Sequence, residues 1–194
     1  MIVLFFYLLS SSLCVITANV IRFLSLSHPT KIIDIVHHYI PLVKETYISD
    51  ILVLTQLVAT IILMDSNTLL EMLLIMAIAQ LCRVVCMIST VLPPLKNYQD
   101  KYRLCGVNGS GTEYIFSGHA CYATVSAIYL YSQGIVNLPF LVVYNLISQF
   151  LITATRNHYT VDIVLAWIIV PLIYGNVKLC LQLSECRQKL KFMF

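Results

Sequence analysis

Six times along its 194 residues this chain runs apolar for long enough to matter to a bilayer. The run at 68–91 shows the constraint most sharply, since Glu71 and Arg83 are its only charged residues. A helix needs about 20 mostly apolar residues to cross the hydrocarbon core. Such runs also appear at about 1–24, 47–64, 117–132, 135–154 and 160–181. The composition agrees: 59% of residues are hydrophobic and 11% are charged, whereas a soluble domain carries roughly a quarter charged residues. The ten-residue alternation of a membrane barrel is absent, and backbone in lipid must satisfy its own hydrogen bonds. The expected fold is therefore all-α, a single integral membrane domain over 1–194 built as a bundle of six transmembrane helices. The first run lacks a basic leader and is longer than a signal-peptide core, so it reads as a retained helix.

Six spans put both termini on one side of the membrane. The connections at 25–46, 92–116 and 155–159 then share the other side. They bring together His37 and His38, a long loop with Pro93, Pro94, Gly106, Gly109 and Gly111, and the pair Arg156 and His158. The polar chemistry is thus expected to converge on one membrane face.

Several function classes fall away. The net charge of +3 comes with no basic run that would suggest nucleic acid and no glycine-rich phosphate loop of the soluble kind. The seven cysteines lie mostly in apolar stretches, where cysteine behaves as a small hydrophobe. Cys82 and Cys86 sit at i and i+4, but no second pair or nearby histidine completes a metal site. Cys105 lies in the long loop, where it could be oxidised if that loop is lumenal.

Two short stretches carry the chemistry. In "RNHYTVDIVLAW" (156–167), His158 and Asp162 are four residues apart and share a face if a helix begins there. The aspartate can accept the Nδ1 proton, leaving Nε2 as a nucleophile or base. In "EYIFSGHACY" (113–122), Ser117 can cap a helix, Gly118 lets a ligand approach the backbone, and His119 falls in the first turn. His119 could protonate a leaving oxygen. Each stretch alone reads more readily as an ordinary polar helix mouth; both on one face read as a site. Arg156 could grip a phosphate oxygen or simply hold lipid headgroups. Arg83, near the exit of its span, needs a partner or a polar cavity. His37 and His38 would point apart on a helix and read as interfacial, and Tyr122 and Tyr159 as part of an aromatic belt.

Ser-Gly-His ahead of one helix and His-x-x-x-Asp ahead of another resembles the phosphatidic acid phosphatase type 2 superfamily, although its upstream Lys/Arg-Pro signature is not found in that form. "HYTVDIVLAW", "EYIFSGHA", "CRVVCMISTVLPPL" (82–95) and, more loosely, "IIDIVHHYIP" (32–41) are similar to the motifs of sphingomyelin synthases and their relatives, which have six helices. Where that family has Cys-Gly-Asp, this chain has Gly111, Thr112 and Glu113, and the Thr after the histidine is Ala120. These departures bear on headgroup choice. The resemblance implies His119, His158 and Asp162 as catalytic residues, with Arg156, Ser117, Gly118, Arg83 and Glu113 around the phosphate. It implies transfer of a phospho-headgroup from phosphatidylcholine or another glycerophospholipid to ceramide, without metal or cofactor. With water as acceptor the same triad would make a lipid phosphatase or phospholipase. A non-enzymatic scaffold would have no use for two such motifs on one face. Partners are membrane lipids, and a homo-oligomer stays open.

The resemblance also implies a site facing the lumen or cell exterior, in the Golgi, endoplasmic reticulum or plasma membrane, with a cytosolic tail at 182–194. The charge pattern opposes it. Seven Lys/Arg residues (Arg22, Lys31, Lys44, Lys96, Lys101, Arg103, Arg156) fall on the site side and four (Lys178, Arg187, Lys189, Lys191) on the other. Some of the seven could be there to hold phosphate, and long loops dilute the rule, so the expected orientation follows the resemblance.

Overall fold

The computed structural model describes residues 1–24, 32–45, 47–90, 92, 95 and 115–191, the side chains of 22–24 and 185–191 excepted. Those residues form seven helices and no strand: α1 (Ile2–Leu24), α2 (Ile35–Tyr39), α3 (Tyr47–Leu63), α4 (Ser66–Ser89), α5 (Gly118–Ser132), α6 (Leu138–Ala154) and α7 (Thr160–Lys191). Every apolar run yields a helix. Three of them contain stretches long and apolar enough to cross a membrane, Ile2–Ile21, Ser66–Ser89 and Thr160–Ser184, and these mark a membrane protein. α3 and α6 are apolar but shorter, at 17 residues, and α5 has 15.

Polar residues set the helix boundaries. Asp65 accepts the N–H groups of Asn67 and Thr68 at 2.9 and 3.1 Å, so the "DSN" break caps α4, which therefore starts at Ser66. Asn137 does the same for α6 through Phe140, which moves its start from the expected 135 to Leu138. Gly134, at φ 66°, makes the turn before it. α7 continues through the stretch read as a polar tail, to Lys191. The short α2 was not expected.

α5 is the centre of the bundle and packs against α3, α4, α6 and α7, while α1 lies mainly along α4. Ala120, Ala123 and Ala166 are fully buried, and such small residues let helix backbones approach closely. Buried polar groups cross between helices. Gln56 of α3 donates to the Ala123 carbonyl of α5 at 2.7 Å, and Tyr144 of α6 donates to the Leu52 carbonyl at 2.9 Å. Tyr122 joins α5 to Gln80 of α4 at 2.8 Å and to Tyr7 of α1 at 3.0 Å. It is therefore a bonded side chain inside the bundle, where a place in an aromatic belt was expected. Lys178 of α7 pairs with Glu71 of α4 at 2.7 Å. The starts of α3, α5 and α7 and the ends of α4 and α6 meet at the opposite end of the bundle.

Candidate active site

The turn between α6 and α7 is built to present His158. α6 ends with Arg156 in the left-handed region, at φ 59°. Arg156 N–H donates to the Thr153 carbonyl at 3.1 Å and Asn157 N–H to the Ile152 carbonyl at 3.3 Å. This is a Schellman closure, which usually uses glycine at that place. α7 then starts at Thr160. Asp162, in its first turn, accepts the Tyr159 N–H at 3.0 Å, one half of a capping box. The same Oδ2 lies 3.5 Å from His158 Nδ1. Asp162 is fully buried and His158 nearly so. One carboxylate thus closes the helix end and backs the imidazole.

The start of α5 meets this turn. Ser117 caps α5 through the Ala120 N–H at 3.1 Å, and its own N–H donates to the Asp162 carbonyl at 3.2 Å. That bond fixes one motif against the other. His119, in the first turn of α5, lies with its ring centroid 5.9 Å from that of His158, edge to face. On its other side, His119 Nε2 is 3.1 Å from Asp50 Oδ1 of α3. The His119–Asp50 pair is open to solvent, in contrast to the buried His158–Asp162 pair.

Residues 32–45 form a strap across the α6–α7 turn. Asp34 accepts the Thr160 N–H at 2.7 Å and the Thr160 hydroxyl at 2.9 Å, so it caps α7 from a distant part of the chain. Burial pushes the Asp34 carboxyl up, but the hydrogen bonds from Thr160 and His37 outweigh it and hold the pKa below the usual carboxylate value. His37 Nε2 is 3.2 Å from the His158 carbonyl, and its ring stacks on Tyr159. Burial, ahead of the opposing Asp34 charge, pushes the His37 pKa down. Both His37 and Tyr159 therefore face inward, where interfacial positions were expected, because each has a partner at the turn. His38 is exposed.

The expected phosphate-binding residues divide. The Arg156 guanidinium donates to the carbonyls of His37, Ile40 (2.9 Å) and Thr153 (3.3 Å), so its donors hold the strap to α6. Arg83 of α4 reaches the first residue of α5. A Cβ on Gly118 would stand 3.3 Å from Arg83 Nη1, so glycine leaves room for the guanidinium there. Arg83 Nε and Asp162 Oδ1 are buried and have no hydrogen-bond partner among the described residues. Arg83, Gly118, Phe116 and Cys121 line a small cleft that runs back to Tyr122 and Gln80. Glu113 and Cys105 lie outside the described residues. Asp50 and Asp34 were not singled out by sequence reasoning. The available signal was weak: an acid in the first turn of one span, and an Asp–His pair at i and i+3.

Two imidazoles at one helix junction, one backed by a buried carboxylate and the other by an exposed one, can divide the roles of nucleophile and proton carrier. A guanidinium and the free N–H groups at the start of α5 can meet negative charge beside them. Residues 111–179 match the family model described as PAP2 superfamily C-terminal. The matched stretch covers less than half of the chain and takes in His119, His158 and Asp162. No curated protein matches the chain. The likeness supports the phosphatidic acid phosphatase type 2 superfamily and does not distinguish its sphingomyelin synthase branch.

Proposed function

We propose that this protein is an integral-membrane lipid phosphotransferase of six transmembrane helices, α1 and α3 to α7, that moves a phospho-headgroup from a glycerophospholipid to ceramide. The products are diacylglycerol and sphingomyelin or a related phosphosphingolipid. The observation that carries this reading is the placing of His119 against His158 with Asp162 behind His158. Lipid phosphatase or phosphotransferase chemistry is what the superfamily likeness supports; the ceramide acceptor rests on the resemblance of the 82–95 and 158–167 stretches to the sphingomyelin synthase branch.

In the first half-reaction His158 Nε2 attacks phosphorus, while Asp162 holds the ring and balances the charge it gains. The bond from phosphorus to the diacylglycerol oxygen breaks, and His119 gives that oxygen its proton. In the second half-reaction His119 takes the proton of the ceramide primary hydroxyl, the alkoxide oxygen attacks phosphorus, and the His158–phosphorus bond breaks. An imidazole suits both directions because its unperturbed pKa is about 6.5. Asp50 gives the protonated form of His119 a carboxylate partner. Arg83 and the start of α5 face the phosphoryl oxygens, whose charge is largest in the transition state. In this reading the site faces the lumen or cell exterior, in the Golgi, endoplasmic reticulum or plasma membrane.

The openness of the His119–Asp50 pair favours a second reading, in which water reaches the intermediate and the enzyme hydrolyses its donor. One assay separates the two. Protein in liposomes receives labelled phosphatidylcholine, phosphatidylethanolamine or phosphatidylinositol, with and without ceramide. Transferase activity gives a ceramide-linked headgroup from at least one donor, and His158→Ala abolishes it. Equal release of free phospho-headgroup with and without ceramide, and no phosphosphingolipid, would overturn the transferase reading.

A further inference from the structure

The strap at 32–45 presents a large apolar outer face. Two of its polar side chains turn inward, Asp34 at 9% exposed and His37 at 10%, while His38, Lys44 and Glu45 stay at the surface. Its large apolar side chains turn outward: Ile33 is 85% exposed, Ile35 70% and Tyr39 79%, with Leu42 exposed beyond them. Water would select the opposite arrangement, since burying a carboxylate costs free energy and exposing isoleucine forfeits the hydrophobic gain. An apolar surrounding on the outer side accounts for the exposed isoleucines, while four hydrogen bonds account for the inward carboxylate. The strap's place says what that surrounding is. Its Asp34 holds Thr160, the first residue of a membrane-crossing stretch, and its carboxyl end leads within two residues to the first residue of α3. It therefore lies where apolar helices enter the bilayer, at the end of the bundle that carries the site.

We infer that the strap is an interfacial element whose Ile33, Ile35 and Tyr39 side chains insert into the leaflet nearest the active site, while its inner residues carry that contact to the turn holding His158. The occupant of the exposed face is the headgroup–acyl boundary of that leaflet, the usual station for an apolar face with an aromatic ring at its edge. The links to the turn are direct: Asp34 to Thr160, His37 to the His158 carbonyl, and Arg156 to the carbonyls of His37 and Ile40. A lipid surface thus forms the outer support of the catalytic turn, and substrates drawn from that surface meet a site already braced by it. The catalytic part of this inference rests on the proposed phosphotransferase reading; the insertion does not.

Two measurements on the full chain in phospholipid nanodiscs test it. Trp167 is the sole tryptophan, so Trp167→Phe gives a silent background for Ile33→Trp. Fluorescence of that reporter should be quenched by phosphatidylcholine brominated near the glycerol end of its chains, more than by lipid brominated near the chain ends. Quenching by aqueous acrylamide alone, or by neither agent, would mean that water or a protein surface covers the face, and would overturn the insertion. In the second measurement, Ile33→Ser with Ile35→Ser should slow turnover of a long-chain donor in bilayers about tenfold, as expected when two inserted side chains are lost. A short-chain donor dispersed in water should be turned over within about twofold of the parent rate, and Ile33→Leu with Ile35→Leu should behave as the parent. Equal losses with both donors would make the strap a structural brace only and overturn the coupling. Absence of activity in the parent would fail the phosphotransferase reading and leave the quenching result to decide insertion.

Discussion

Asp162→Asn separates charge from shape at the catalytic turn. The amide is nearly the size of the carboxylate, and its oxygen can still accept the Tyr159 N–H that the carboxylate takes at 3.0 Å. The closure of α7 therefore survives. What disappears is a negative charge 3.5 Å from His158 Nδ1, at a fully buried site. In the proposed reaction His158 attacks phosphorus and its ring becomes cationic. Two unit charges at that distance attract by about 5 kcal/mol at an effective dielectric of 20. Losing most of that in the transition state lowers turnover by about a thousandfold, since each 1.36 kcal/mol is a factor of ten. Stability should move the other way or stay level, because a buried carboxylate with one oxygen unbonded gives way to a neutral group. The assay pairs initial rates of headgroup transfer in liposomes with tryptophan-fluorescence melting. His158→Ala should fall below the asparagine variant, since it removes the attacking atom itself. Turnover within about threefold of the parent would refute the role of the charge. A loss of activity accompanied by a fall in melting temperature would show that Asp162 acts only as a helix cap.

Asp34→Ala removes four hydrogen bonds, two at α7 and two at α2, and should destabilise the protein by about 1–3 kcal/mol, read as a lower melting temperature. His37 has a folded pKa below its unfolded value, so the unfolded state binds more protons and stability should fall as pH drops below about 6.5; His37→Gln should flatten that slope in melting curves. The depressed Asp34 carboxyl adds a further loss only below about pH 4, as pH falls through its folded value. Gly118→Ala should retain or slightly raise the melting temperature, since alanine favours helix, yet cut activity about tenfold by displacing the Arg83 guanidinium; unchanged activity would remove Arg83 from the phosphate's surroundings. A glycosylation tag in the 92–114 loop should be modified in secretory-pathway membranes and a carboxy-terminal tag should not, and the reverse result would favour the charge count over the resemblance.

The helices were legible because lipid imposes one rule on every span: about 20 apolar residues with few charges. Their ends were legible where a capping residue works locally, as Ser117 does. The expected start at 135 missed because the competing cap, Asn137, stood two residues further along. The His158–Asp162 and His119 pieces could be read because i, i+4 spacing and a Ser-Gly-His turn are local signals. Asp50 and Asp34 were not legible. Each reaches its partner across a large sequence distance, 69 residues to His119 and 126 to Thr160, and nothing in the intervening sequence encodes that meeting. Arg156 was misleading in another way. A left-handed C-terminal closure signals itself by glycine or asparagine, and here an arginine takes the place and uses its side chain to bind three carbonyls.

The shortness of α5 has a consequence for the lipids themselves. Fifteen residues of helix rise only about 22 Å, against about 30 Å of hydrocarbon. Because α3, α4, α6 and α7 enclose α5, protein and not lipid meets the shortfall. In the proposed six-span arrangement the strap and the start of α7 keep the histidines level with the interface on the site side, so the shortfall of about one and a half helical turns falls at the other end of α5. α3 and α6, at 17 residues each, fall short of the hydrocarbon as well, and the bilayer beside them must thin to match. Thinning costs fractions of a kcal/mol per Å, so it is cheap in fluid, thin bilayers and dearer in thick, ordered ones. In that arrangement the mechanics of the bilayer would favour thin membranes ahead of any contact with a headgroup.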